Sequence, residues 1–316
     1  MRAFIFPGQG SQKVGMGADL AEASVHAREL FEEVDDALGQ KLFQLMKNGP
    51  AEELTLTENA QPAIMALSVA VIRVLEKEGG VKLADVAGCV AGHSLGEYSA
   101  LCAAGAIPVA ETARLLKLRG QAMQRAVPVG EGAMAALLGA DVAKAEDLAE
   151  AAEADGEICT VANDNDPGQV VISGHKAAID RAVAMVKDDK DSWGIKRGVL
   201  LPVSAPFHCP LMKPAAEEME KALAETAIRA PSVPLYANVT AEAVSDPDVI
   251  RELLVDQVTG RVRWRESVLA MHQGGAERFV EIGGKVVGPM VGRTVADAEV
   301  MSVQSMDDIE ALIKSL

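Results

Sequence analysis

Five residues, Gly92-His93-Ser94-Leu95-Gly96, match the G-x-S-x-G pattern of a nucleophile elbow. A chain that turns sharply from strand into helix strains its turn residue and leaves no room for side chains on either flank. Glycines two positions either side relieve that crowding, and the serine hydroxyl is lifted clear of the sheet edge. There it sits beside the positive end of the following helix, and the N–H of Leu95 points to where an oxyanion would form. The surrounding sequence fits this use. Val86 to Ala91 is small and apolar, as expected of a buried strand. Gly96 to Ala104 reads as a helix, stopped by Gly105 and Pro108.

Serine is a weak nucleophile and needs a base within hydrogen-bond reach. The chain has five histidines. His26 and His272 fall on polar helix positions, and His175 lies in a Ser-Gly-His turn. His93 adjoins the serine, but successive residues at a turn rarely face each other. His208 lies in Pro202-Val203-Ser204-Ala205-Pro206-Phe207-His208-Cys209-Pro210, whose prolines impose a stiff, irregular path. It is the candidate general base, brought to the serine by the fold rather than by sequence proximity.

The elements expected to position this pair follow from hydrophobic patterning. Ala3 to Phe6 reads as a strand. It leads into Phe6-Pro7-Gly8-Gln9-Gly10-Ser11-Gln12, a tight loop whose backbone can approach a ligand closely. Helices are expected over 17–38, 61–78 and 109–126. The last carries Arg114, Arg119 and Arg125, of which two should simply face solvent. From Pro128 the order becomes strand 133–138, helix 142–154, strands 158–163 and 169–173, helix 176–187 and strand 198–203. The run Asn163 to Gly168 between the middle strands is dense in turn formers. That is the β-α-β-β-α-β order of a ferredoxin-like unit. The expected architecture is therefore α/β: a large α/β-hydrolase-like domain (1–127 and 204–316) with a parallel sheet, plus an inserted small domain (128–203). Beyond it, a helix 214–227, a strand Leu235 to Val239 and a helix starting near Trp264 are expected.

Composition narrows the function. Thirty basic against forty-six acidic residues leave a formal charge of −16, which argues against nucleic acid or an anionic membrane as the main partner. Four scattered cysteines without a C-x-x-C fit a reduced protein with no zinc site. The apolar stretch Pro62 to Leu75 is too short to span a bilayer, and no signal-like region follows Met1, so a cytoplasmic location is expected.

Five motifs in order resemble the malonyl-CoA:acyl carrier protein transacylases of bacterial fatty-acid synthesis. They are Phe6 to Gln12, Gly92 to Ser99, Leu118-Arg119-Gly120, Pro167 to Gly174, and Ala205-Pro206-Phe207-His208. The resemblance implies a malonyl-Ser94 intermediate, with His208 as base and then acid. It further implies an oxyanion hole from the amides of Gln9 and Leu95, and a malonyl carboxylate held bidentately by Arg119. Asn163 would touch substrate, and Phe207 would favour malonyl over branched acyl groups. His208 would be oriented by a main-chain carbonyl just before Trp264, at Arg263. Malonyl-CoA and CoA would be substrate and product, acyl carrier protein the partner, and no cofactor, metal, nucleic acid or membrane would take part. Arg261, Arg263, Arg265 and Lys285 are candidate carrier contacts. The chain departs from the family at Gly283-Gly284-Lys285, where Pro-Gly-Lys is common, and at Arg261-Val262, where Pro-Val is common. A serine thioesterase or hydrolase with a buried acid behind His208, a polyketide-type acyltransferase, and a non-catalytic CoA-binding module remain alternatives.

Overall fold

The structure, a computed structural model, describes residues 1–203 and 205–316. Its strands, in chain order, are β1 (Arg2–Phe6), β2 (Cys89–Gly92), β3 (Gly132–Leu138), β4 (Cys159–Asp166) and β5 (Gln169–His175), then β6 (Arg197–Leu200), β7 (Leu235–Tyr236), β8 (Ala243–Val244), β9 (Arg278–Ile282) and β10 (Glu299–Val303). They form two sheets. One has the order β10-β9-β1-β2-β7-β8 and is parallel except for its last pair. The other, β4-β5-β3-β6, is antiparallel.

Alternation along β1 explains why the larger sheet carries helices on both faces. Phe4 and Phe6 enter one apolar cluster with helix Thr57–Lys77, while Ala3 and Ile5 enter another with Trp264 and Phe279. All four are fully buried. β3 divides the same way. Ala135 and Leu137 pack under helices Val142–Ala152 and Lys176–Asp188, and Met134 and Ala136 face the larger cluster. In the larger sheet the chain runs one way from β1 to β2 and the other way to β9. A crevice therefore opens at the carboxyl ends of β1 and β2, where open α/β sheets place their ligands. Phe6 pairs with Gly92 there.

Several elements differ from the sequence expectation. Val86 closes a helical turn, Leu83–Val86, and the strand begins only at Cys89. The helix expected over 17–38 breaks at Ser24, whose hydroxyl caps the second half by accepting from Ala27 N. The Asn-Asp run is not a loop: β4 continues to Asp166 through two bulges, and only Pro167 and Gly168 turn. Its two acids are each paired with an arginine distant in sequence. Asp164 pairs with Arg265 at 2.9 Å and Asp166 with Arg293 at 2.8 Å. β6 ends at Leu200 and β7 at Tyr236, both short of expectation. The expected boundary residue Ser204 lies outside the described residues. No helix among the described residues is long and apolar enough to cross a membrane.

Candidate active site

Ser94 has φ 53° and ψ −112°, the strained conformation of an elbow, and helix Leu95–Ala103 starts at the next residue. A Cβ on Gly92 would stand 1.9 Å from Gly96 C, and one on Gly96 would stand 2.4 Å from Phe6 O. The two glycines are thus needed for the turn itself and for its contact with β1. Asn238 braces the elbow from below, accepting from Ser94 N at 2.8 Å and donating to Gly92 O at 2.7 Å.

Ser94 Oγ lies 2.8 Å from His208 Nε2. His208 Nδ1 lies 2.9 Å from the main-chain oxygen of Gln257, which holds the Nδ1–H tautomer and leaves the Nε2 lone pair for the serine proton. That oxygen belongs to Gln257, in helix Pro247–Thr259, and not to Arg263 as the resemblance implied. The carbonyl of Arg263 instead accepts from Ser267 inside the next helix. Burial first, and the positive charge of Arg119 second, push the His208 imidazolium down to about 3.

Arg119 is 1% exposed, whereas Arg114 and Arg125 are surface residues paired with Glu111 and Glu218. Gly120 accounts for its position. A Cβ there would meet Glu58 Cα at 2.6 Å, so the glycine lets helix Val109–Arg125 close onto the start of helix Thr57–Lys77. Arg119 then donates to Gln61 Oε1 at 2.9 Å, Gln257 Oε1 at 2.8 Å and Ser94 Oγ at 3.2 Å. Among the described residues these partners are all uncharged, and Arg119 Nε has none. A buried guanidinium without a carboxylate in contact is costly, and it marks a place where an anion would be held.

Ser94, His208, Arg119 and Gln61 line a cavity of about 300 Å³ that also takes in Gln9, Leu95, Asn163, Met134 and Phe207. The catalytic and substrate-binding residues expected from sequence, Ser94, His208, Gln9, Leu95, Arg119 and Asn163, all line it, and Arg263 does not. Asn163 comes from the first bulge of β4, beside Val262. His93 lines the cavity too, but its Nε2 faces Asn165 Oδ1 at 2.8 Å. Gln61, Gln257, Asn238 and Glu97 were missed as site residues. Gln257 carried a signal, since Ile250, Leu254, Gln257 and Val258 form one helical stripe in which a polar residue stands among apolar ones. Glu97 is 1% exposed, and burial pushes its carboxyl up to about 7. The three arginines expected to meet a carrier each have an acid of this chain as partner: Glu146, Glu266 and Asp164. No cluster of three His, Cys, Asp or Glu suited to a metal ion occurs among the described residues.

An elbow serine, a histidine held by a main-chain carbonyl and a buried arginine share one crevice, an arrangement suited to acyl transfer. Over residues 3–305 the chain matches the acyl transferase domain family, and it belongs to that family. It is 44% identical to the malonyl CoA-acyl carrier protein transacylase of Escherichia coli K12, over 99% of this chain and 98% of that one. The crystal structure of an acyl-carrier-protein S-malonyltransferase from Bartonella henselae superposes with a TM-score of 0.95 at 51% identity, covering 99% and 98% of the two chains. A malonyl-transacylase solved in complex with a type II polyketide acyl-carrier protein gives 0.94 at 39% identity, over 100% and 99%.

Proposed function

We propose that this chain moves a malonyl group from malonyl-CoA to the pantetheine thiol of acyl carrier protein, through a malonyl-Ser94 ester. The observation that carries the reading is the buried, carboxylate-free Arg119 standing 3.2 Å from the nucleophile. A plain acyl group has no use for it, while an acyl group ending in a carboxylate completes it.

In the first half-reaction Ser94 Oγ attacks the thioester carbonyl and passes its proton to His208 Nε2. The N–H groups of Leu95 and Gln9 receive the oxyanion. Collapse of the tetrahedral intermediate breaks the carbon–sulfur bond, and CoA leaves with the proton from His208. In the second, the carrier thiol gives its proton to His208 and attacks the acyl-serine carbonyl. Ser94 Oγ then departs with that proton. No resident cofactor enters either step, and the exchange is ping-pong. Asn163 contributes to the wall around the acyl group, and Phe207 limits its branching.

The supporting frame is an α/β-hydrolase-like domain, 1–127 and 204–316, that carries the elbow, Arg119 and His208. A ferredoxin-like domain, 128–203, covers the crevice with Met134 and Asn163. Membership of a family whose relatives are named for loading acyl carrier protein favours fatty-acid synthesis as the pathway served. Incubation with malonyl-CoA alone tests the reading against a hydrolase. CoA release should stop near one equivalent per chain and resume on adding holo-acyl carrier protein. Continuous release without an acceptor would instead identify a hydrolase.

A further inference from the structure

A guanidinium withdrawn from water needs a counter-charge, yet a carboxylate in contact with it would compete with the carboxylate of a substrate. This site contains a buried carboxylate, and it stops one amide short. Glu97 Oε2 accepts from Gln257 Nε2 at 2.8 Å and from Asn238 N at 3.1 Å. The second hydrogen of Gln257 Nε2 goes to Ser94 O at 3.0 Å. With both amide hydrogens committed, only Oε1 can face Arg119, which it does at 2.8 Å. The same residue holds His208 through its main-chain oxygen. Gln257 is 0% exposed.

We propose that the Gln257 side chain is a specificity-determining spacer, which keeps Glu97 and Arg119 from forming a direct salt bridge and so leaves the guanidinium unclaimed for a substrate carboxylate. The proposal rests on Arg119 being the carboxylate site. In its ionised form Glu97 supplies counter-charge at a distance and, as an acceptor, fixes which way the amide points. Gln61 Oε1 occupies another Arg119 nitrogen in the same uncharged manner. Without the amide, Glu97 loses a donor and Arg119 an acceptor. Two opposite buried charges then face each other, and they relax toward a direct pair that substrate must break. Gln257 is thus a positioning residue for Arg119, distinct from its main-chain role toward His208, which any residue at 257 retains.

The test compares first-half-reaction kcat/KM for malonyl-CoA and acetyl-CoA, because the acetyl group does not use Arg119. Gln257→Leu should lower the malonyl-to-acetyl ratio about tenfold to a hundredfold, the range seen when an outer partner that orients a metal ligand is lost. The loss should appear mainly in malonyl KM. Adding Glu97→Gln to that variant should recover part of the ratio, since no carboxylate remains to capture Arg119. Should Gln257→Leu fail to fold, Gln257→Glu gives the same sign by placing a carboxylate directly against the guanidinium. Parallel loss of both thioesters, or a double variant worse than the single one, would overturn the spacer. Arg119→Ala in the same assay separates the two layers. If it too loses both thioesters equally, the carboxylate site itself is wrong. A selective malonyl loss there with none in the Gln257 variants removes only the spacer.

Discussion

Arg119 Nη2 stands 3.2 Å from Ser94 Oγ, which puts a buried cation beside the proposed nucleophile. An acyl group esterified to Ser94 extends only a few bonds before any charge it bears must meet Arg119. That distance suits a short diacid whose free carboxylate lies two carbons from the ester carbonyl. It also leaves the hydroxyl with two neighbours: Oγ accepts from Arg119 and offers its proton to His208 Nε2 at 2.8 Å.

Selectivity should follow Arg119. Removing one partner of a buried charge pair costs roughly 2–5 kcal/mol, or about 30- to several-thousand-fold. Arg119→Ala should cut malonyl transfer by that range while acetyl transfer stays level or rises. Arg119→Lys should rescue only partly, because a point charge cannot make the two-pronged contact. kcat/KM for both thioesters checks this, and a parallel fall would make Arg119 structural.

His208 should be the shared base and acid. General acid–base help is worth roughly 10²–10⁴-fold, so His208→Ala should slow acylation by at least that range. Stopped-flow release of CoA measures it. A loss under about tenfold would assign the proton to another group.

The pH profile should carry the imprint of burial. The His208 imidazolium is pushed down to about 3, so the ring stays neutral, the form able to take the Ser94 proton. Acylation by acetyl-CoA should therefore stay level as pH falls through 6.5, where an ordinary imidazole would be half lost. Arg119→Ala removes the second-largest of the depressing causes, after burial, and should move the acid limb back up. The same shift acts on stability. Between about 3 and 6.5 the unfolded chain binds more protons at this position than the folded one, so its contribution to stability rises with pH across that window. An acid limb near 6.5 in the unmodified enzyme would contradict the assignment.

Much of the site was legible because its chemistry is local. The glycines at 92 and 96 and the prolines around His208 are backbone requirements, and a sequence states those directly. The Asn-Asp run misled for the opposite reason. Its composition says turn, but Arg265 and Arg293 lie more than a hundred residues away and neutralise Asp164 and Asp166. Strand pairing then wins over turn propensity. The carbonyl that orients His208 was also out of reach, because a main-chain oxygen is independent of side-chain identity. Gln61 and Gln257 meet at Arg119 from two helices, Glu97 joins through Gln257 from a third, and only that convergence reveals a use for them.

A malonyl ester on Ser94 would be read out by intact-protein mass spectrometry after brief exposure to malonyl-CoA. One malonyl group per chain should appear, map by peptide analysis to Ser94, and vanish on adding holo-acyl carrier protein. Ser94→Ala, at a position where the side chain contributes only its hydroxyl, should fold normally and show none. An adduct of full stoichiometry in Ser94→Ala, or no adduct in the unmodified enzyme, would rule out Ser94 as the acylated residue.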